Sequence, residues 1–235
     1  MPDTVTVSTP DGEMPVYDAA PDGDPKGAVI VIQEAFGVNG HIEDVTRRFA
    51  GAGYRAVAPH LFHRTGDPTL PYDDLSQVMP HMKALSEEGI GDDLDATLAY
   101  LSGAGFATGK VGVVGFCMGG TVAFFAGVRH PLGAAVSFYG GGVGQGRFGY
   151  PSQVEAAPNL QSPWLGLYGD RDQSIPVEEV EQLRQAVGAA KVDAEVVRYA
   201  DAEHGFHCDA RPSYHGPSAE DAWRRTLEWF GRHVG

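Results

Sequence analysis

A compact apolar run, Val111-Gly112-Val113-Val114, leads into Gly115-Phe116-Cys117-Met118-Gly119-Gly120 and then into Thr121-Val122-Ala123-Phe124-Phe125-Ala126. This order constrains the chain more than any other part of it, because it describes a buried strand that turns at once into a helix. Glycine at 115 and 119 permits a tight turn and close packing, which hold the residue between them out at the carboxyl edge of a sheet. That residue is Cys117. The pattern is a nucleophile elbow with a thiol where the commoner motif carries a hydroxyl. Thiolates are favoured at helix starts, where unpaired N–H groups and the helix dipole stabilise an anion. The same hexapeptide also suits an inert Cys in a glycine-rich turn, so the rest of the chain must decide.

A nucleophile presented in this way is served by an acid and then a His, in that chain order. Trp164-Leu165-Gly166-Leu167-Tyr168 reads as another buried strand, with Gly169-Asp170-Arg171-Asp172 at its carboxyl end and Ile175-Pro176 opening a helix. Further on, Ala189-Ala190 and residues 192–199 predict a strand, and Asp201-Ala202-Glu203-His204-Gly205-Phe206 a loop carrying a His to the same edge. Taken singly, an Asp in such a turn is a turn former and a loop His is solvated. Together they place three reactive side chains outside the carboxyl ends of strands, where open α/β sheets put their sites.

The remaining segments alternate between strand and helix, which predicts a mostly parallel, twisted sheet with helices on both faces. Residues 4–8 and 13–17 form an edge hairpin across Pro10-Asp11-Gly12, 28–32 a central strand, 42–51 a helix and 54–58 a strand closed by Pro59. Residues 60–72 hold Gly66, Pro68 and Pro71 and read as a long loop at a pocket mouth. Helices follow over 92–101 and from about Ser218, where Ala219, Trp223, Leu227 and Phe230 share one face. A length of 235 residues suits a single α/β domain over 1–235. With 31 acidic against 17 basic residues, the net charge of -14 argues against nucleic acid or an anionic membrane as partner. The start of the chain has neither the basic segment nor the apolar core of a signal peptide, and no run approaches the ~18 apolar residues of a membrane span. A cytoplasmic location is expected. Two cysteines, Cys117 and Cys208, make no disulfide framework.

On the elbow, on Gln33-Glu34-Ala35-Phe36-Gly37-Val38-Asn39, on Phe138-Tyr139-Gly140 and on the Asp172 and His204 loops, the chain resembles the dienelactone hydrolase (carboxymethylenebutenolidase) family over roughly residues 5–233. The resemblance implies an α/β-hydrolase fold and a cysteine-dependent hydrolase that opens a cyclic enol lactone from catechol catabolism without metal or organic cofactor. It implies Cys117 as nucleophile, His204 as base, Asp172 rather than Asp170 as the acid, and Glu34 as a fourth member that holds the resting thiol. The N–H of Met118, directly after the nucleophile, is the natural oxyanion donor, with Ala35 at the end of the central strand as the second. Phe36 and Tyr139 would line the substrate site.

One part departs from the family pattern. Its lactonases hold the substrate carboxylate with two arginines, but residues 73–88 contain none and offer His81 and Lys83, and after His204 the next arginine is Arg211. Arg and Lys are not equivalent at bidentate sites, so a different ester or lactone substrate stays open. A general thiol esterase and a catalytically silent binding protein are the alternatives. A zinc site from His204, His207 and Cys208 lacks a closed four-ligand set. The expected partner is a small lactone or ester, and the expected state a monomer or small homo-oligomer.

Overall fold

In the computed structural model, which describes residues 2–235, eight strands form one sheet. They are β1 (Asp3–Thr9), β2 (Gly12–Ala19), β3 (Ala28–Ile32), β4 (Arg55–Pro59), β5 (Val111–Phe116), β6 (Ala134–Phe138), β7 (Trp164–Gly169) and β8 (Ala194–Tyr199). Their spatial order is β1-β2-β4-β3-β5-β6-β7-β8. The first two strands form the expected hairpin, with Val5 opposite Val16 and Val7 opposite Met14, and β2 runs antiparallel to β4. All remaining pairs are parallel. The central strands are buried on both sides, which is why they read as unbroken apolar runs rather than alternating ones. After β3 the chain moves to β4 on one side and then returns to β5 on the other. The crevice at this change of direction lies between the carboxyl ends of β3 and β5, where Glu34 and Cys117 follow.

Helices α1 (Gly40–Gly51), α2 (Leu75–Ala84), α3 (Glu87–Gly103), α4 (Met118–Arg129), α5 (Gln153–Ala156), α6 (Val177–Val187) and α7 (Gly216–His233) complete the fold. Side chains alternate across a strand, so β5 shows which helices lie on which face. A side chain at Gly112 would collide with Phe230 of α7, and one at Gly115 with the backbone of Gly119 in α4. An odd separation puts α7 and α4 on opposite faces. Phe49 of α1 packs on Trp223 and Phe230, so α1 shares the face of α7.

Some predicted boundaries shift, and one strand is new. The 92–101 helix starts earlier, at Glu87, because Ser86 accepts a hydrogen bond from Gly89 N–H and caps it. Strand β8 begins at Ala194 rather than 192. Strand β6 has no counterpart in the sequence reading, since its small residues carry little apolar signal; Trp164 holds it by donating from Nε1 to Ser137 Oγ at 3.0 Å. The long loop 60–72 contains one short helical turn, His63–Thr65. It is tied to α3 by Arg64 and His63, which both bond the fully buried Asp93, at 2.8 Å and 3.0 Å. This anchorage carries Tyr72 over the sheet edge.

Candidate active site

Cys117 sits immediately before α4 with φ 55° and ψ -115°. A left-handed backbone at a non-glycine residue stores about 1–3 kcal/mol and persists only where its surroundings enforce it. Here they do: Cys117 N–H donates to Phe138 O at 3.1 Å, and a side chain at Gly119 would meet the carbonyl oxygens of Gln33 and Ile32 at 2.5 and 2.6 Å. Strand β3, the elbow and β6 are therefore locked together, and the half-buried thiol projects from the sheet edge.

The loop after β7 presents two aspartates that go separate ways. Asp170 is taken by Arg198 in a two-point pair at 2.7 and 2.8 Å. Asp172 is buried and faces His204 Nδ1 through Oδ2 at 2.6 Å, while its Oδ1 accepts from Ser174 N–H at 2.8 Å and from Ser174 Oγ at 2.6 Å. Burial pushes the Asp172 carboxyl up, but His204 and Ser174 outweigh it and hold it below the ordinary carboxylate range. Burial likewise opposes charge on His204, yet the Cys117 sulfur and Asp172 push that imidazole up to about 10. The thiol shows the mirror image. Burial raises its pKa and Glu34 adds to that, but the charge of His204, its hydrogen bond and Arg147 together outweigh them, so that Cys117 lies below an ordinary thiol. The two shifts describe one pair, which favours thiolate and imidazolium together. Tyr139 adopts φ 40° at the end of β6, its ring centroid lies 5.1 Å from that of His204, and its buried hydroxyl has no hydrogen-bond partner among the described residues.

Glu34 follows β3 and is fully buried. Its Oε1 accepts from Arg211 Nη1 at 3.2 Å, and its buried Oε2 has no partner among the described residues. The contact differs from the expected one with the thiol, and the reason is the guanidinium, a stronger and charged donor. Arg211 reaches Glu34 from the cleft above, over the rings of Phe36 and Tyr72 at 5.6 and 5.9 Å. Tyr72 is held by Asn39 Nδ2 at 2.9 Å and accepts from Cys208 Sγ at 3.4 Å. The backbone N–H of Met118 directly follows Cys117 at the start of α4, and that of Ala35 lies just beyond the end of β3. Among the described residues neither has an acceptor outside the regular helix and strand ladders.

A cleft of about 480 Å³ has His204, Asp172, Ser174, Tyr72 and Arg211 in its wall, while Cys117, Glu34, Phe36 and Tyr139 lie outside its lining. Of the three cations expected from the sequence, only Arg211 lines it. His81 is a correction: its Nδ1 pairs with Thr65 Oγ1 at 2.7 Å and it lines a separate cavity beside α3, because α2 turns that face toward Phe62. Lys83 is likewise corrected, being exposed on α2 outside the cleft lining. The zinc alternative finds its three residues turned to different partners: His204 to Asp172, Cys208 to Tyr72, and His207 stacked on Phe116 at 5.2 Å. Ser174 and Arg147 were not picked out from the sequence. Ser174 had a usable signal, since a Ser two residues after an Asp suits a side-chain-capped turn.

Comparison with known proteins places the chain in a family and a fold. The family model described as the dienelactone hydrolase family matches residues 14–234. A Yersinia pestis protein named "Putative carboxymethylenebutenolidase" is 42% identical over 233 residues, covering 97% of this chain and 87% of its own. A crystal structure from Klebsiella pneumoniae titled "Putative Dienelactone Hydrolase" superposes with a TM-score of 0.90 at 39% identity, over 99% of this chain and 98% of that one. The acylaminoacyl peptidase of Pyrococcus horikoshii, at 16% identity and a TM-score of 0.75 over 99% of this chain and 41% of that one, shares the fold alone. The architecture is the α/β-hydrolase fold.

Proposed function

Since the chain belongs to the dienelactone hydrolase family and is a hydrolytic enzyme of that type, we propose that it cleaves a carboxylate-bearing enol lactone, or a related small ester, through Cys117, His204 and Asp172. The observation that carries this reading is the 2.6 Å contact between His204 Nδ1 and Asp172 Oδ2, beside a thiol held in a left-handed elbow. Asp172 fixes the imidazole tautomer with Nε2 free to exchange a proton with sulfur. The thiolate attacks the carbonyl carbon, forming a C–S bond, and the developing oxyanion is met by the N–H groups of Met118 and Ala35. Collapse breaks the C–O bond of the ester, and the leaving enolate takes its proton from His204. Water, deprotonated by the same imidazole, then hydrolyses the thioester.

Arg211 is the group that would read an anionic substrate, because of the two guanidiniums in the cleft wall it is the half-buried one over Phe36 and Tyr72, whereas Arg171 is exposed and paired with Asp201. Arg211 is already paired with Glu34, so a substrate carboxylate that engages Arg211 competes with Glu34 and frees that carboxylate beside the thiol. Glu34 in this reading adjusts the charge state of Cys117 rather than attacking or orienting. A charge-paired panel tests both parts: a carboxylate-bearing enol lactone and a neutral aryl ester, each with wild type and with iodoacetamide-treated enzyme. Turnover of both that disappears on alkylation, with the anionic substrate preferred in kcat/KM, is the expected result. Preference for the neutral ester would leave the general thiol esterase as the function.

A further inference from the structure

We propose that Ser174 is a positioning residue of the triad, its hydroxyl occupying one carboxylate oxygen of Asp172 so that the other faces His204 in a single orientation. The inference rests on the Cys117–His204–Asp172 reading above. A carboxylate that accepts on one oxygen only is free to rotate or slide against its imidazole partner. Here Oδ1 is held from two directions, by Ser174 N–H at 2.8 Å and Ser174 Oγ at 2.6 Å, and Oδ2 is left to His204 Nδ1 at 2.6 Å.

The two bonds from Ser174 differ in kind. Any residue at this position supplies the backbone one, which is the turn that follows an Asp. Only a hydroxyl supplies the second. Its direction is informative, because Ser174 is exposed and lies on the shared wall between the cleft and a neighbouring cavity of about 250 Å³ that contains Arg147 and Glu179. Water is available to that hydroxyl from both sides, yet it turns inward to the buried carboxylate. It also stands 3.3 Å from His204 Nδ1, so the one hydroxyl lies beside both the acid and the imidazole that it orders. With the imidazole held in place, its charge stays beside Cys117 and the thiolate is favoured.

Ser174→Ala and Ser174→Thr test this, measured by kcat and KM on a neutral aryl ester, by the pH profile of Cys117 alkylation with iodoacetamide, and by melting temperature. A hydrogen bond to a charged group predicts a fall in kcat of about ten- to a hundredfold for Ser174→Ala. KM should stay within about twofold of wild type, since no substrate contact is invoked. The alkylation midpoint should move to higher pH, because a less firmly held His204 stabilises the thiolate less, and Ser174→Thr should restore both readouts. An unchanged kcat with an unmoved midpoint would overturn the proposal. So would a change in KM alone, which would make Ser174 a substrate contact, or equal losses in both variants with a lowered melting temperature, which would make it structural. Cys117→Ala, assayed in parallel, reports on the nucleophile separately: surviving turnover there would remove the triad reading itself.

Discussion

At the scale of single residues, the two aspartates of one turn make the sharpest contrast. Asp170 and Asp172 are two positions apart, equally acidic in the unfolded chain, and equally able to end a strand. Arg198 takes the first and His204 the second. Asp172→Asn should therefore lower kcat by about four orders of magnitude through the wrong imidazole tautomer, whereas Asp170→Asn should leave kcat nearly intact and show its loss in melting temperature. A ranking of the two in the opposite order in a steady-state assay would move the acid to Asp170. Arg211 is the second case. It is half-buried, burial works against its charge but is outweighed by Glu34 together with Tyr139, Cys117 and Cys208, and it lines the cleft. Arg211→Gln is expected to raise KM for a carboxylate-bearing lactone by about tenfold or more, the scale of a lost charged hydrogen bond, with little change for a neutral ester. Equal effects on the two substrates would take the guanidinium out of recognition.

At the scale of elements, the site is a junction of β3, β5, β6 and the first turn of α4, and backbone proximity rather than side-chain packing decides its geometry. Gly119 touches the carbonyls that end β3 so closely that even a methyl group has no room. Gly119→Ala should force α4 away from β3, destabilise by about 1–3 kcal/mol as overpacking does, and separate the N–H of Met118 from that of Ala35. The measurable outcome is a lower denaturation midpoint together with a loss of kcat in the fraction still folded. A normal kcat in folded protein would show that the two N–H groups do not act as one oxyanion site. The same junction explains why Cys117 tolerates φ 55°: the hydrogen bond to Phe138 O and the packing of Gly119 leave it no relaxed alternative.

At the scale of the molecule, the imidazoles buried beneath the site link stability to pH. His207 lies among Phe116, Phe138, His41 and Trp223, and burial pulls its pKa down to about 3, with His41 and Arg48 adding in the same direction. The unfolded chain binds this proton near pH 6.5 and the folded one refuses it until about 3, so stability is unaffected by this group above pH 6.5. It falls as the pH drops through that window, by up to ~1.4 kcal/mol per unit. Denaturation curves at pH 7.5 and 5 should show the loss, and His207→Phe, which keeps the aromatic contacts, should flatten it. A slope unaltered by that substitution would assign the acid sensitivity to other groups, His41 being the nearest with a pKa lowered by burial.

Much of this was legible in the chain itself. Apolar runs marked β3, β5 and β7, rich in β-branched residues in the first two and in Trp, Leu and Tyr in the third, because a strand buried on both faces must be apolar throughout, and glycines at 115 and 119 marked the elbow, because no other residue fits so close to a neighbouring backbone. The order Cys117, Asp172, His204 followed from the elbow and from strand ends that share one edge. Strand β6 escaped, since its small residues are recruited by pairing with β5 and β7, a non-local interaction. The choice of partners escaped too. That Arg211 holds Glu34 and that His81 turns to Thr65 depend on which side chains meet across segments separated in sequence. Local patterns record what a residue can bury or bend, whereas the pairing of charges is settled only when the folded backbone brings one donor within hydrogen-bond reach and excludes the others.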